Sequence, residues 1–160
     1  MSVNAPLFIA SDHGGFELKS RLLKELDLGL YQRHWVDLGP ANKDSVDYPH
    51  YAKLLCDQVL ETFERDDLLE PCGILICGSG VGVSIAANRF ARIRAALCWS
   101  EQVAQLSRQH NASNVLCLGE RIMDTKLGLA ITRAWLSTKF EGGRHGRRVE
   151  QIDADSENTE

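Results

Sequence analysis

The chain has 160 residues, 44% of them hydrophobic and 25% charged, with a formal net charge of -4. That is the make-up of one globular domain, which at this length buries roughly 70% of its unfolded surface and needs no disulfide or metal staple. Lysines and arginines are scattered except at Arg144, Arg147 and Arg148. This excludes the basic face of a nucleic-acid binder and suits a small anion instead.

Short apolar runs alternate with longer stretches of helical periodicity, which predicts an α/β fold with a parallel sheet covered by helices. The first strand is Leu7 to Ser11, followed by the turn Asp12-His13-Gly14-Gly15 and a helix from about Phe16 to Leu26. Leu18, Leu22, Leu23 and Leu26 share one face of that helix. A second strand covers about His34 to Leu38, and a long polar loop leads to Tyr48-Pro49. Pro49 suits the first turn of the next helix, predicted to run to about Phe63. Ile74 to Cys77 is wholly apolar, as a buried parallel strand should be. A glycine-rich turn then opens a helix from about Val81 to Phe90. The fourth strand, Ala95 to Cys98, precedes a helix from Ser100 to His110. The fifth, Val115 to Leu118, leads through Gly119-Glu120-Arg121 to a helix from about Asp124 to Phe140. The organisation is one domain over residues 1–150, with a solvated, flexible tail expected over 151–160.

Five cysteines occur without any C-x-x-C pair, so neither a disulfide framework nor a zinc spacing fits, and a reducing compartment does. The first residues lack a signal-peptide pattern, and no apolar stretch approaches the ~20 residues that span a bilayer. A cytoplasmic protein without membrane or nucleic-acid partners is expected.

In parallel sheets, ligands bind beyond the carboxyl ends of the strands, where helix N-termini offer free N–H groups. That rule selects three turns: Asp12 to Gly15, Cys77-Gly78-Ser79-Gly80-Val81-Gly82, and Gly119 to Arg121. The middle turn lacks the glycine at Val83 that a dinucleotide fingerprint needs, and it lacks the Gly-Lys-Ser/Thr ending of a P-loop. It also lacks the glycines of a nucleophile elbow. What remains is a cysteine beside a helix N-terminus, where partial positive charge favours a thiolate able to act as a base. The plain alternative is a tight strand–helix connection with incidental glycines. Cys72, Cys98 and Cys117 read as buried and inert.

Asp12-His13 directly follows an apolar strand, a position where packing does not require charge; Asp12 capping the next helix is the alternative. His110-Asn111 falls at a helix end on the wrong side of the sheet to meet Cys77. A catalytic His110 would therefore serve a neighbouring subunit, whereas a plain one would interact with its own helix terminus. Arg144 and Arg148, at i and i+4, share a face if helical and match phosphate oxygens; a solvated basic tail is the other reading.

These segments resemble the ribose/galactose isomerase family, in particular its ribose-5-phosphate isomerase B branch. The resemblance rests on Ser11-Asp-His-Gly-Gly-Phe, Asp47-Tyr-Pro-His-Tyr-Ala and Gly73-Ile-Leu-Ile-Cys-Gly-Ser-Gly-Val-Gly-Val-Ser-Ile-Ala-Ala-Asn. Ala104-Gln-Leu-Ser-Arg-Gln-His-Asn-Ala-Ser-Asn-Val-Leu and Phe140-Glu-Gly-Gly-Arg-His extend it, so that it spans about residues 7 to 150. It implies a Rossmann-like three-layer α/β/α sandwich with a mainly five-stranded parallel sheet. It also implies a homodimer or homotetramer with sites at subunit interfaces, free of metal and of cofactor.

The activity implied is interconversion of ribose 5-phosphate and ribulose 5-phosphate through an enediolate. By position, Cys77 matches the base and Ser79 a hydroxyl assisting at the enediolate. Some branches place a glutamate a few residues later in this turn, where Val81 stands here, so the cysteine branch is indicated. Asp12 and His110 match the residues that open the furanose ring. Asn111 and the amides of Gly78, Ser79, Gly80, Val81 and Gly82 match binders of sugar oxygens, and His13, Arg121, Arg144 and Arg148 match phosphate or substrate contacts. The segment from Arg65 to Pro71 and the second-strand region depart from the family pattern. Rival readings are an allose-6-phosphate or galactose-6-phosphate isomerase, a non-catalytic sugar-phosphate sensor and a thiol-dependent hydrolase.

Overall fold

The computed structural model describes residues 5–65, 70 and 72–157. Most of the divergent 65–71 segment and the last residues, 158–160, therefore lie outside the described residues. Strand β1 (Ala5–Ser11) passes through a 3-10 turn (His13–Gly15) into α1 (Phe16–Glu25). A second such turn (Gly29–Tyr31) precedes β2 (Arg33–Asp37) and α2 (Tyr48–Arg65). Next come β3 (Cys72–Cys77), α3 (Val81–Ala87), β4 (Ala95–Leu97) and α4 (Glu101–Asn111). The chain continues through β5 (Val115–Gly119), a 3-10 turn (Glu120–Ile122), α5 (Thr125–Ser137) and α6 (Arg144–Glu157).

The five strands form one parallel sheet in the order β2-β1-β3-β5-β4. The period-2 alternation of each strand divides the apolar side chains between two layers. Leu7, Ile9, Ile74, Ile76, Leu116 and Leu118 face α1, α4 and α5, together with Leu18, Leu22, Ala104, Ile131 and Trp135. Phe8, Ala10, Leu75, Cys77 and Cys117 face α2 and α3, with Ala52, Leu55, Val59, Val83 and Ala87. Helices cover both faces, which is the expected three-layer Rossmann-like sandwich. The first crossover turns outward to β2 and the second returns past β1 to β3, so the switch point lies between the carboxyl ends of β1 and β3.

Side-chain caps explain several helix boundaries. Ser100 accepts from Val103 N at 3.2 Å and Asp124 from Leu127 N at 2.8 Å, so each residue precedes its helix rather than opening it. Helix α3 ends at Ala87, short of the predicted Phe90. The Asn88 amide turns there to bond both backbone groups of Ala95 across the next turn. Helix α5 ends at Ser137 rather than near Phe140, because Thr138 is already extended. The largest difference is at the C-terminus. The tail expected from residue 151 continues α6 to Glu157, held by the Asp153 carboxylate 2.8 Å from Arg94. Gly142 and Gly143, at φ +66° and +55°, let the chain reverse between α5 and α6. Among the described residues no helix is long and apolar enough to cross a membrane.

Candidate active site

A cleft of about 460 Å³ opens at the switch point, lined by Asp12, Tyr48, Cys77, Gly78, Ser79, Gly82, Arg121 and Ile122. Cys77 ends β3, paired in register with Gly119 of β5, and its side chain reaches the cleft although the residue is only 5% exposed. The Gly80 amide donates to Cys77 Sγ at 3.1 Å. Gly80 has φ +77°, and a Cβ there would lie 2.6 Å from Leu97 Cδ1 and 2.9 Å from the Leu118 carbonyl carbon. Only glycine can bring that amide round to the sulfur.

The other four cysteines are free and buried. Burial pushes the Cys56 thiol up to about 12, with Asp57 adding to the rise, and the Cys98 thiol up to about 11. Burial also raises Cys72 and Cys117. Burial of all four fits the packing role expected for Cys72, Cys98 and Cys117.

Asp12 follows β1, and its Oδ1 is buried with no hydrogen-bond partner among the described residues. Its side chain makes no helix-capping bond, which disposes of the capping alternative. An unpaired carboxylate oxygen in a cleft is costly to leave empty-handed and is an acceptor ready for a ligand hydroxyl. His13, exposed beside it, places Nδ1 3.2 Å from Val46 N and 3.3 Å from Val46 O, tying the first turn to the loop before α2.

The turn amides differ from the expected set of free donors. Gly80 N–H is taken by Cys77, and Val81 N–H donates to Ser79 Oγ at 3.3 Å. Gly78, Ser79 and Gly82 line the cleft, whereas Gly80 and Val81 do not. Arg121 N donates to Gly78 O at 2.9 Å, and the Arg121 side chain lies over Gly78.

Two cleft residues, Tyr48 and Ile122, carried no role in the sequence reading. The Tyr48 ring packs on Gly82, where a Cβ would come within 2.9 Å of it. An exposed aromatic at the end of a long polar loop, just before Pro49, was the available signal. Outside the cleft lining, Glu120 also carried no role in that reading; its Oε2 accepts from Leu18 N at 2.8 Å and so caps α1 from the turn that carries Arg121.

The remaining predicted residues stand elsewhere. His110 and Asn111 end α4 and lead into the amino end of β5, while Cys77 ends β3, so the two are separated by a strand length of roughly 15–20 Å. Arg144 and Arg148 are exposed on α6, on the His110 side. His145 is buried and stacks on His110, with ring centroids 4.2 Å apart and planes 5° from parallel. Burial first, then the charges of His110 and Arg144, hold His145 below the ordinary imidazole value of 6.5, against the pull of Glu141. His110, Glu141 and His145 bring potential ligand atoms within 4.8 Å of one another. The parallel rings direct their in-plane lone pairs into separate planes rather than at one point.

The profile of the family described as Ribose/Galactose Isomerase matches residues 7–152. The chain is 46% identical over 144 residues to ribose-5-phosphate isomerase B of Escherichia coli (strain K12), covering 89% of this chain and 91% of that protein. The solved ribose-5-phosphate isomerase B of Clostridium thermocellum superposes with a TM-score of 0.87 at 38% identity, covering 97% of this chain and 99% of that one. The Mycoplasma genitalium ribose-5-phosphate isomerase B, solved with bound ribulose-5-phosphate, superposes at 0.86 with 42% identity, covering 96% and 97%. A profile match over nearly the whole length, with the cysteine, aspartate and glycine turn gathered at the switch point, places this chain in the ribose/galactose isomerase family.

Proposed function

We propose that this chain interconverts ribose 5-phosphate and ribulose 5-phosphate, with Cys77 as the base. The observation that carries the reading is the placing of Cys77 Sγ in the switch-point cleft, bonded by the Gly80 amide and sharing the cleft with Asp12, whose Oδ1 has no partner among the described residues, in a member of this family. An amide aimed at the sulfur is accepted more strongly by a thiolate than by a thiol.

The cyclic aldose must first open. The anomeric hydroxyl loses its proton, the C1–O4 bond breaks, and O4 gains a proton, with Asp12 and His110 serving the transfers. Cys77 thiolate then takes the C2 proton, and the electron pair moves into a C1–C2 double bond as negative charge collects on O1. Return of that proton to C1, with transfer of the O2 proton to O1, gives the ketose. Ser79 and the free amides of the turn face the developing oxyanion. One such preorganised donor is worth about 2.7–4 kcal/mol.

His110, Asn111, Arg144 and Arg148 complete the site from a second copy of the chain, in a dimer or larger assembly. The separation of Cys77 and His110 within one chain supports this. So does the exposure of apolar Tyr48 and Ile122 at the cleft and of Val81 and Ile85 on α3. Arginine forks hold the phosphate and so set C2 against the sulfur.

The test is a coupled assay with ribose 5-phosphate, allose 6-phosphate and galactose 6-phosphate. Ribose 5-phosphate is expected to turn over with the highest kcat/KM. Preference for a six-carbon substrate would overturn the substrate assignment, and binding without turnover of any would leave a sensor.

A further inference from the structure

Arg94 stands just ahead of β4, outside the cleft, where its side chain joins two elements that the proposed site needs together. Its Nε donates to Asn111 O and Ala112 O, each at 3.2 Å. These carbonyls end α4, where a helix has acceptors without intrahelical partners and a cation is favoured. Its Nη1 donates to both carboxylate oxygens of Asp153 on α6, at 3.1 and 2.8 Å. The Arg94 backbone is fixed as well, with its amide 2.8 Å from Asn114 Oδ1 and its carbonyl accepting from Asn114 N at 3.1 Å. Both partners of the ion pair are mostly shielded, with side-chain exposures of 18% and 28%.

At the other end of α6, His145 stacks on His110, and Glu141 N donates to Gln109 O at 3.1 Å. Helix α6 is thus tied to the end of α4 at two places, His145 and Asp153, eight residues or roughly 12 Å apart along its axis. A single tie would leave α6 free to swing about it; two fix both its distance and its direction.

We infer that the Arg94–Asp153 ion pair is a positioning device that holds His110, Asn111, Arg144 and Arg148 as one rigid unit. The inference rests on the reading above, in which these four residues serve the substrate. Arg94 and Asp153 do not touch it. Removing the pair lets the α4 terminus and α6 shift relative to each other, and a misplacement of about 1 Å is enough to slow the ring-opening step strongly.

The experiment uses full-length Asp153→Ala, a change outside the sheet core, with kinetics on ribose 5-phosphate, a thermal melt and the imidazole NMR signals of His110. The expected result is a kcat about 10- to 100-fold lower at a nearly unchanged melting temperature, with displaced His110 signals. Asp153→Glu, which keeps the carboxylate, recovers most of the rate. Arg94→Lys does not, because an ammonium cannot span Asn111, Ala112 and Asp153 at once. Unmoved His110 signals in Asp153→Ala overturn the tie whatever the activity. Moved signals with unchanged kcat, alongside an inactive His110→Ala, overturn its part in positioning. A fully active His110→Ala overturns the ring-opening assignment instead, and the signals still decide the tie.

Discussion

Cys77 and Asp12 stand at the ends of neighbouring strands, Cys77 in register with Gly119 and Asp12 N bonded to Ile76 O. His110 and Arg144 stand at the ends of two helices, held by a ring stack, one backbone bond and one ion pair. The first region is the more rigid of the two because its strands are buried and paired with neighbours on both sides. The second is the more adjustable of the two as a unit, because one backbone bond and a few side-chain contacts hold it. In the proposed mechanism the proton-transfer centre belongs to the rigid part, where the base would meet a carbon acid closely. Ring opening and phosphate capture would then belong to the part that a second copy engages.

The sharpest break in this comparison comes from Cys77→Ala. Loss of a general base lowers kcat by roughly 10²–10⁴-fold. Sugar-phosphate binding, followed by calorimetry, should persist. Mixing inactive Cys77→Ala with inactive His110→Ala should regenerate activity, since one site of each hybrid then holds both intact residues. No recovery from verified hybrids would mean that the two regions do not meet between chains.

A smaller effect is expected from Gly80→Ala. The added methyl meets Leu97 and the Leu118 backbone at a left-handed φ, costing about 2–3 kcal/mol. Denaturant unfolding would read that loss. A variant of wild-type stability would show that the rigid region yields more easily than its packing implies.

The smallest effect is a pH dependence in the adjustable region. The folded chain resists protonating His145, whereas the unfolded chain protonates it as pH falls through 6.5. Stability is therefore whole above 6.5 and declines as pH drops toward the lower folded value. His145→Gln should flatten the melting-temperature profile between about pH 7 and 5. An unaltered slope would remove His145 from the acid response.

The strands were legible because five short apolar runs, each followed by a turn and a helical stretch, admit few arrangements other than a parallel sheet. The glycine turn, Cys77 and Asp12 were legible for the same reason, since strand ends are where such sheets bind ligands. Tyr48 gained its place only through packing on Gly82, and Glu120 only through a bond to Leu18, contacts between residues far apart in the chain. The final turns of α6 were read as a tail because Asp153 and its neighbours form no apolar stripe. Their support is Arg94, 59 residues away.

Local pattern determined which residues end the strands, because periodicity and turn chemistry act over a few neighbouring residues. Tertiary structure decided which of those residues share a cleft, that Gly80 offers its amide to sulfur, and that His145 stacks on His110. Those outcomes depend on strand order and helix docking, which are set by burial across the whole sheet rather than by any one segment.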